Sequence, residues 1–269
     1  VEVIHERRAT LFGGRLPAPN LKTLGGLTNY VEEHGCDIGI ATDGDADRLG
    51  VIDDKAEFLH PNKILVLLYY YLMRYRGWRG AAVRNLATTH LLDRIAEDFG
   101  ETCYEVPVGF KYVSAKMVET GAILGGESSG GLTGRGHIQG KDGIYAAALL
   151  VEAIAKTGRR RSALWDEITQ KYGAAEMAEH DFHFSSAERT RIFKLLMEDK
   201  QLPEFPCEIA KVSYMDGCKV YFKNGGWVVG RFSGTEPLIR IFCEMPEEQQ
   251  AKEVCRIYEQ FLEIGRAHV

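Results

Sequence analysis

The 269-residue chain holds six cysteines, Cys36, Cys103, Cys207, Cys218, Cys243 and Cys255, and no C-x-x-C pair among them. Most sit in apolar strand or helix patterns. That argues against a zinc site or a disulfide framework and reads as reduced core thiols of a cytoplasmic protein. No apolar run exceeds Ile64–Met73, about half of the roughly 20 residues that a membrane-spanning helix needs. No signal-peptide pattern opens the sequence. Positive charge is not in excess either. The net charge is −5, so no general basic surface invites nucleic acid or an anionic membrane. A small anionic ligand stays open, because local cations decide that. Internal repeats and low-complexity stretches are lacking too. What remains is ordinary globular composition, 45% hydrophobic and 26% charged, at a length that suits two domains or three small ones.

Along the chain, residues 36–42 and 49–52 read as two short apolar strands joined by an acidic loop. "HPNKILVLLYYYLMRYRG" reads as a helix apolar on most faces, hence buried. Strand and helix patterns then alternate: "GAAVRNLATTHLLDRIAEDFG", "TCYEVPVG", "YVSAKMVETG", "AILGGE" and "DGIYAAALLVEAIAKTG". Such spacing implies βαβ units and a mostly parallel sheet. The basic triplet Arg159–Arg161 reads as a solvated linker before the helix "ALWDEITQKYG". Beyond it the pattern becomes that of a small α+β domain. "EHDFHF" alternates like a strand, and Ser185 with Glu188 matches a capping box. "DGCKVYFKNGGWVVGRF" reads as two strands about an Asn-Gly turn, "LIRIFCEM" as another, and the last helix carries apolar residues from Ala251 to Leu262. The expected fold is α/β, in three parts: a partial domain over 1–58 that ends in the acidic loop, an α/β domain over 59–171, and an α+β domain over 172–263. Val1 opens mid-pattern, so the chain is expected to begin inside a domain. The tail after the last helix matches a translated sequencing adaptor, and residues 264–269 are expected to be non-native.

Three loops carry chemistry. "GIATDGDADRLGVID" places Asp43, Asp45 and Asp47 within five positions. In an extended strand the outer two would lie roughly 13 Å apart at about 3.3 Å per residue, too far for one small dication. The loop must curl, and Gly44 and Ala46 are small enough to let it. Curled, it offers three hard oxygen ligands suited to Mg²⁺, and the adjoining Arg48 can hold a phosphate. A calcium loop would need Gly at Arg48 and Glu at Asp54. A dehalogenase-type phosphatase would use an Asp nucleophile but usually has Thr where Asp47 sits. The remaining alternative is a solvated acidic turn. "GGESSGGLTGRGHIQGKDG" is not a P-loop, since no G-x-x-x-x-G-K-[ST] fits. It presents Glu127 and Ser129, a carboxylate and a hydroxyl suited to sugar hydroxyls, with His137 and Lys141 nearby; otherwise it is a surface loop. "RFSGTEPLIR" gathers Arg231, Ser233, Gly234 and Thr235 into a cradle for a phosphate monoester, with Arg240 on the departing strand.

These loops, in this order, resemble those of the α-D-phosphohexomutases, which include phosphoglucomutase and phosphomannomutase. "DGDADR" resembles that family's magnesium loop, which implies Asp43, Asp45 and Asp47 as ligands of a Mg²⁺ cofactor. "GESS" fits its G-E-x-S sugar loop, which implies Glu127 and Ser129 as sugar contacts. "RFSGTEP" is similar to its phosphate loop, which implies Arg231, Ser233, Gly234 and Thr235 as the clamp. "HIQGKDG" and "GFKY" imply Lys141 and Lys111 as active-site cations, and "LFGGRLPAPN" resembles the segment before the metal loop. Family members have four domains, and the first carries a serine, typically in a T-A-S-H-N-P-like loop, that holds the transferable phosphate. No Ser-His-Asn occurs in this chain.

The resemblance therefore implies a phosphohexomutase that exchanges hexose 1-phosphate and 6-phosphate through a phosphoserine and a bisphosphate. It implies a hexose phosphate substrate, and the missing N-terminal domain of the same protein as partner. The three loops are expected to meet at one cleft, with Lys141 or His137 as general base and Arg48 beside the metal. The chain alone is expected to be inactive. A sugar-phosphate-binding module and an Asp43-dependent sugar phosphatase are the alternatives.

Overall fold

The computed structural model describes residues 1–234 and 236–263 of the chain; the expectation about the tail falls on residues outside this set. The chain divides into two compact units, Val1–Tyr172 and Gly173–Val269.

In the first unit, helix α1 (Gly25–His34) leads into an antiparallel sheet of β1 (Gly39–Thr42), β2 (Leu49–Ile52) and β3 (Phe58–Leu59). Gly35 ends α1 in the left-handed region (φ 60°), where a Cβ would be strained. β1 begins at Gly39, later than the hydrophobic pattern places it. Helix α2 (Pro61–Arg74) starts with proline at its first turn, where the missing N–H costs nothing. Every residue from Ile64 to Met73 is buried, which explains its lack of a polar face. A second sheet follows, built from β4 (Ala82–Asn85), β5 (Cys103–Val106), β6 (Leu124–Gly126) and β7 (Leu132–Gly134), with α3 (Leu91–Asp98) and α4 (Phe110–Thr120) as crossovers. Its order is β5-β4-β6-β7. The first three strands are parallel and β7 is antiparallel, which makes the sheet mixed but mostly parallel. α4 packs on one face through Val113 and Met117 against Val83 and Val106. Helices α5 (Gly143–Thr157) and α6 (Arg161–Tyr172) pack on α2.

One sequence expectation is corrected here. The triplet 159–161 is not a solvated linker throughout, because Arg161 opens α6 with only 6% of its surface exposed and pairs with the fully buried Asp53. A partner so far upstream is invisible to a local reading of three arginines.

The second unit is a five-stranded antiparallel sheet of order β8-β12-β11-β10-β9: β8 (Glu176–His183), β9 (Ile209–Ser213), β10 (Cys218–Phe222), β11 (Trp227–Phe232) and β12 (Leu238–Met245). Helix α7 (Ser186–Phe193) opens with the expected capping box of Ser185 and Glu188 and runs into a π-turn. Helix α8 (Glu248–Glu263) lays Ala251, Val254, Cys255, Tyr258 and Leu262 on the sheet, and these join Phe182, Val220, Val228 and Ile241 in one core.

Candidate active site

The acidic loop links β1 to β2 across the pair Thr42–Leu49. It curls as its spacing demands. Ala46 takes a left-handed φ of 59°, and its N–H donates to the carbonyl of Asp43 at 3.2 Å. Carboxylate oxygens of Asp43, Asp45 and Asp47 consequently lie within 4.8 Å of one another. Arg48 binds back to Asp43 twice, through its backbone N–H (3.1 Å) and its Nε (2.6 Å). Burial pushes the Asp43 carboxyl up, but the bonds from Arg48 outweigh it and hold the group below the ordinary carboxylate value. Lys141 Nζ pairs with Asp47, and Arg48 Nε lies 3.8 Å from the same residue. Close carboxylates with cations at their rim form a hard-oxygen donor set that fits Mg²⁺. The preceding segment packs directly on this turn: a Cβ at Gly44 would touch the Phe12 ring and Pro17, and one at Gly50 would stand 2.6 Å from Pro19 Cβ.

Glu127 follows β6 at the carboxyl end of the parallel strands, where α/β sheets place their binding sites. Only 8% of it is exposed. Its Oε1 accepts two bonds of 3.0 Å, from Asn85 Nδ2 at the end of β4 and from the Gly109 N–H after β5. Asn85 is fixed in turn, its Oδ1 accepting from the Ala87 N–H and the Thr88 hydroxyl. Asn85, Thr88 and Gly109 escaped the sequence reading, because nothing in "VRNLATT" shows which carboxylate its amide will meet. Ser129 is exposed in the same turn, and Lys111 is exposed on the first turn of α4 with its Nζ over the Tyr112 ring.

Backbone bonds join the acidic loop to the glycine-rich segment that follows Glu127. Arg48 bridges Gly131, the Leu49 N–H donates to Gly130 O, and the Gly143 N–H at the start of α5 donates to Ala46 O at 2.8 Å. The Lys141 stem lies flat on Gly131, where a Cβ would meet it at 2.2 Å. His137 instead stacks on Tyr145 and binds Asp142, the N-cap of α5, at 2.8 Å. The Tyr145 N–H and then His137 hold the Asp142 carboxyl below its ordinary value.

In the second unit, Arg231 and Phe232 end β11, Ser233 and Gly234 follow them, and Pro237 precedes β12. The Ser233 N–H donates to Leu238 O (2.9 Å), and the Ser233 hydroxyl accepts from the Glu236 N–H. Asp216 holds Arg231 through Nε at 2.8 Å. Arg231 and Arg240 are cross-strand neighbours, and Arg240 pairs with Glu236. Gly234 is exposed; Thr235 lies outside the described residues.

Residues 1–56 match the family model for phosphoglucomutase/phosphomannomutase, alpha/beta/alpha domain II; residues 60–172 match domain III and residues 193–258 the C-terminal domain. The chain belongs to the phosphoglucomutase/phosphomannomutase family. A Thermococcus kodakarensis phosphoglucomutase/phosphomannomutase is 35% identical over 94% of this chain and 52% of its own length. A Thermus thermophilus structure described as a phosphomannomutase is 30% identical with a TM-score of 0.77, over 94% of this chain and 52% of that one. The Aspergillus fumigatus N-acetylphosphoglucosamine mutase, solved with GlcNAc-6P and magnesium, shares the fold at 15% identity and a TM-score of 0.54, over 87% of this chain and 55% of that one. The chain spans about half the length of the curated relatives it matches. No helix among the described residues is long and apolar enough to cross a membrane.

Proposed function

We propose that these residues are the metal-binding, sugar-reading and phosphate-gripping parts of a phosphohexomutase that interconverts hexose 1-phosphate and hexose 6-phosphate. The observation that carries this reading is the set of three carboxylates at 43, 45 and 47, held within 4.8 Å on a loop bonded to the loop of Glu127. Asp43, Asp45 and Asp47 hold Mg²⁺, which when bound neutralises charge on the transferring phosphoryl group. Glu127, anchored through Oε1, directs Oε2 at sugar hydroxyls together with Ser129. Arg231, Ser233, Gly234 and Thr235 grip the phosphate that does not react, which turns binding into orientation; Lys111 and Arg240 add positive charge. Lys141 touches the metal loop and is the better placed of the two candidate bases. His137 is engaged with Asp142 and serves the α5 cap. Arg48 keeps the loop curled.

Residues 1–263 are proposed as the second, third and fourth domains of such an enzyme. The support is the order of the three matched domains and the share of each relative that the chain covers. A mutase needs a phosphoryl carrier, and the chain contains no Ser-His-Asn. On its own it therefore binds hexose phosphates without exchanging them. Incubating it with Mg²⁺ and glucose 1-phosphate is expected to yield no glucose 6-phosphate, while calorimetry detects Mg²⁺ binding that Asp45→Ala abolishes. Normal turnover by the chain alone, or Mg²⁺ binding unchanged in Asp45→Ala, overturns the reading.

A further inference from the structure

The parallel strands of the first unit have a second edge. β4 and β6 begin side by side at Ala82 and Leu124, and β7, running the other way, ends opposite Leu124 at Gly134. Residues just before β4 and just after β7 thus gather at the edge remote from Glu127. A cavity of about 390 Å³ opens there, lined chiefly by Arg76, Trp78, Arg135, His137, Tyr145 and Glu152. That volume falls within the range of roughly 300–1,000 Å³ typical of small-molecule sites.

Its charges do not balance. The guanidinium carbons of Arg76 and Arg135 lie 4.6 and 5.1 Å from the centroid of the same Trp78 indole. Cation–π attraction favours each alone, yet two like charges on one ring repel. Glu152 is the carboxylate of the lining, and its Oε1 is shared: it accepts from the Tyr71 hydroxyl at 2.6 Å and lies 3.5 Å from Arg76 and 3.8 Å from Lys156. Arg135 bonds only to a backbone carbonyl, that of Arg79 at 3.2 Å, and no carboxylate pairs with it among the described residues. The stacked rings of His137 and Tyr145 form a flat polar wall beside it, fixed by the bond from His137 to Asp142.

We infer that this cavity binds a small organic phosphate, its phosphoryl oxygens taken by Arg76 and Arg135 and its organic part lying along the His137–Tyr145 wall. Guanidinium forks match phosphate oxygens in bidentate geometry. The volume exceeds what a bare phosphate fills, so the ligand carries a group of sugar or nucleoside size. Of the residues weighed for the mutase reaction the site shares only His137, and it does not depend on that reading.

The test follows the indole N–H signal of Trp78, assigned with Trp78→Phe, in the 269-residue chain. Ribose 5-phosphate, AMP and inorganic phosphate are the probes, with ribose and adenosine as controls. The phosphorylated compounds are expected to shift the signal saturably, the organic ones at lower concentration than inorganic phosphate, and the controls not at all. Arg135→Gln raises the midpoint at least tenfold, and Arg76→Gln does the same if Arg135→Gln proves unfolded. Arg231→Ala, in the other unit, leaves the midpoint unchanged, which separates this site from the phosphate clamp. No saturable shift, an equal response to ribose, or a midpoint unmoved in the folded arginine variants overturns the inference.

Discussion

Arg161 and Asp53 show how much one buried charge pair can decide. Asp53 is fully buried, and its Oδ1 also accepts the N–H groups of Lys55 and Glu57, both at 2.9 Å. Arg161→Ala would leave that carboxylate uncompensated, at a cost of about 3–5 kcal/mol. Urea unfolding should show a loss of this size, whereas Arg160→Ala, an exposed neighbour, should change stability little. Asn85 acts on the site itself. Removing its bond to the Glu127 carboxylate should cost about 1.5–3 kcal/mol of ligand orientation, so Asn85→Ala is expected to weaken glucose 6-phosphate binding about tenfold or more by calorimetry. Arg84 gives a pH test. It pairs in bidentate fashion with Asp93 at 2.6 and 2.9 Å, and with Glu105 at 2.6 Å. Burial alone would raise the Asp93 carboxyl, but the Arg84 guanidinium outweighs it and holds it below the ordinary 3.8. A depressed carboxylate stabilises the fold above its unfolded value and ceases to do so as pH falls through the folded one. The stability gap between the native chain and Asp93→Asn should therefore be full at pH 7 and narrow below 3.8. Such residues were also the least legible in the sequence. Motif spacing singles out Asp43 and Glu127 because the residues that accompany them, Asp45 and Asp47 or Ser129, lie close in the chain. Asn85, Asp53 and Asp216 work through partners that only folding brings near.

At the level of elements, length and continuity governed what could be read. α2 and α8 announce themselves by long apolar patterns. β3 and β7, of two and three residues, carry too few positions for a period, and "GGLTG" reads as a loop until the backbone pairing of Gly126 with Leu132 is seen. β9 is largely exposed and lacks the alternation of a half-buried strand. The junction of α5 with the acidic loop was equally hidden. A Cβ at Gly143 would stand 2.7 Å from Arg48 O and 2.9 Å from Ala46 O, both backbone atoms of that loop. Gly143→Ala must displace the loop or the helix, at about 1–3 kcal/mol for overpacking. It should lower the melting temperature and weaken Mg²⁺ binding together. Gly25→Ala, where a Cβ meets nothing within 4 Å, is the matched control and should do neither.

For the whole molecule, the sequence pattern changes after the last helix of the α/β part, where alternating strands and helices give way to consecutive strands, and the compact units meet at Tyr172 and Gly173. The second unit carries the means to fold alone. In the second, the five strands are consecutive antiparallel neighbours apart from the β8–β12 pair, and α8 closes one face. Its core includes Phe182, Val220, Ile241, Cys243, Val254 and Tyr258, every one of them buried and all supplied by residues after Gly173. A contiguous core that draws on no other segment is the physical condition for autonomous folding. Residues 173–263 expressed alone are therefore expected to give a dispersed amide spectrum and one cooperative urea transition. Within that piece Tyr258→Ala, which removes a ring packed on Gly230, should cost about 3–5 kcal/mol and abolish the transition. A piece that shows collapsed amide shifts without this substitution would mean that the core of the second unit depends on residues before Gly173.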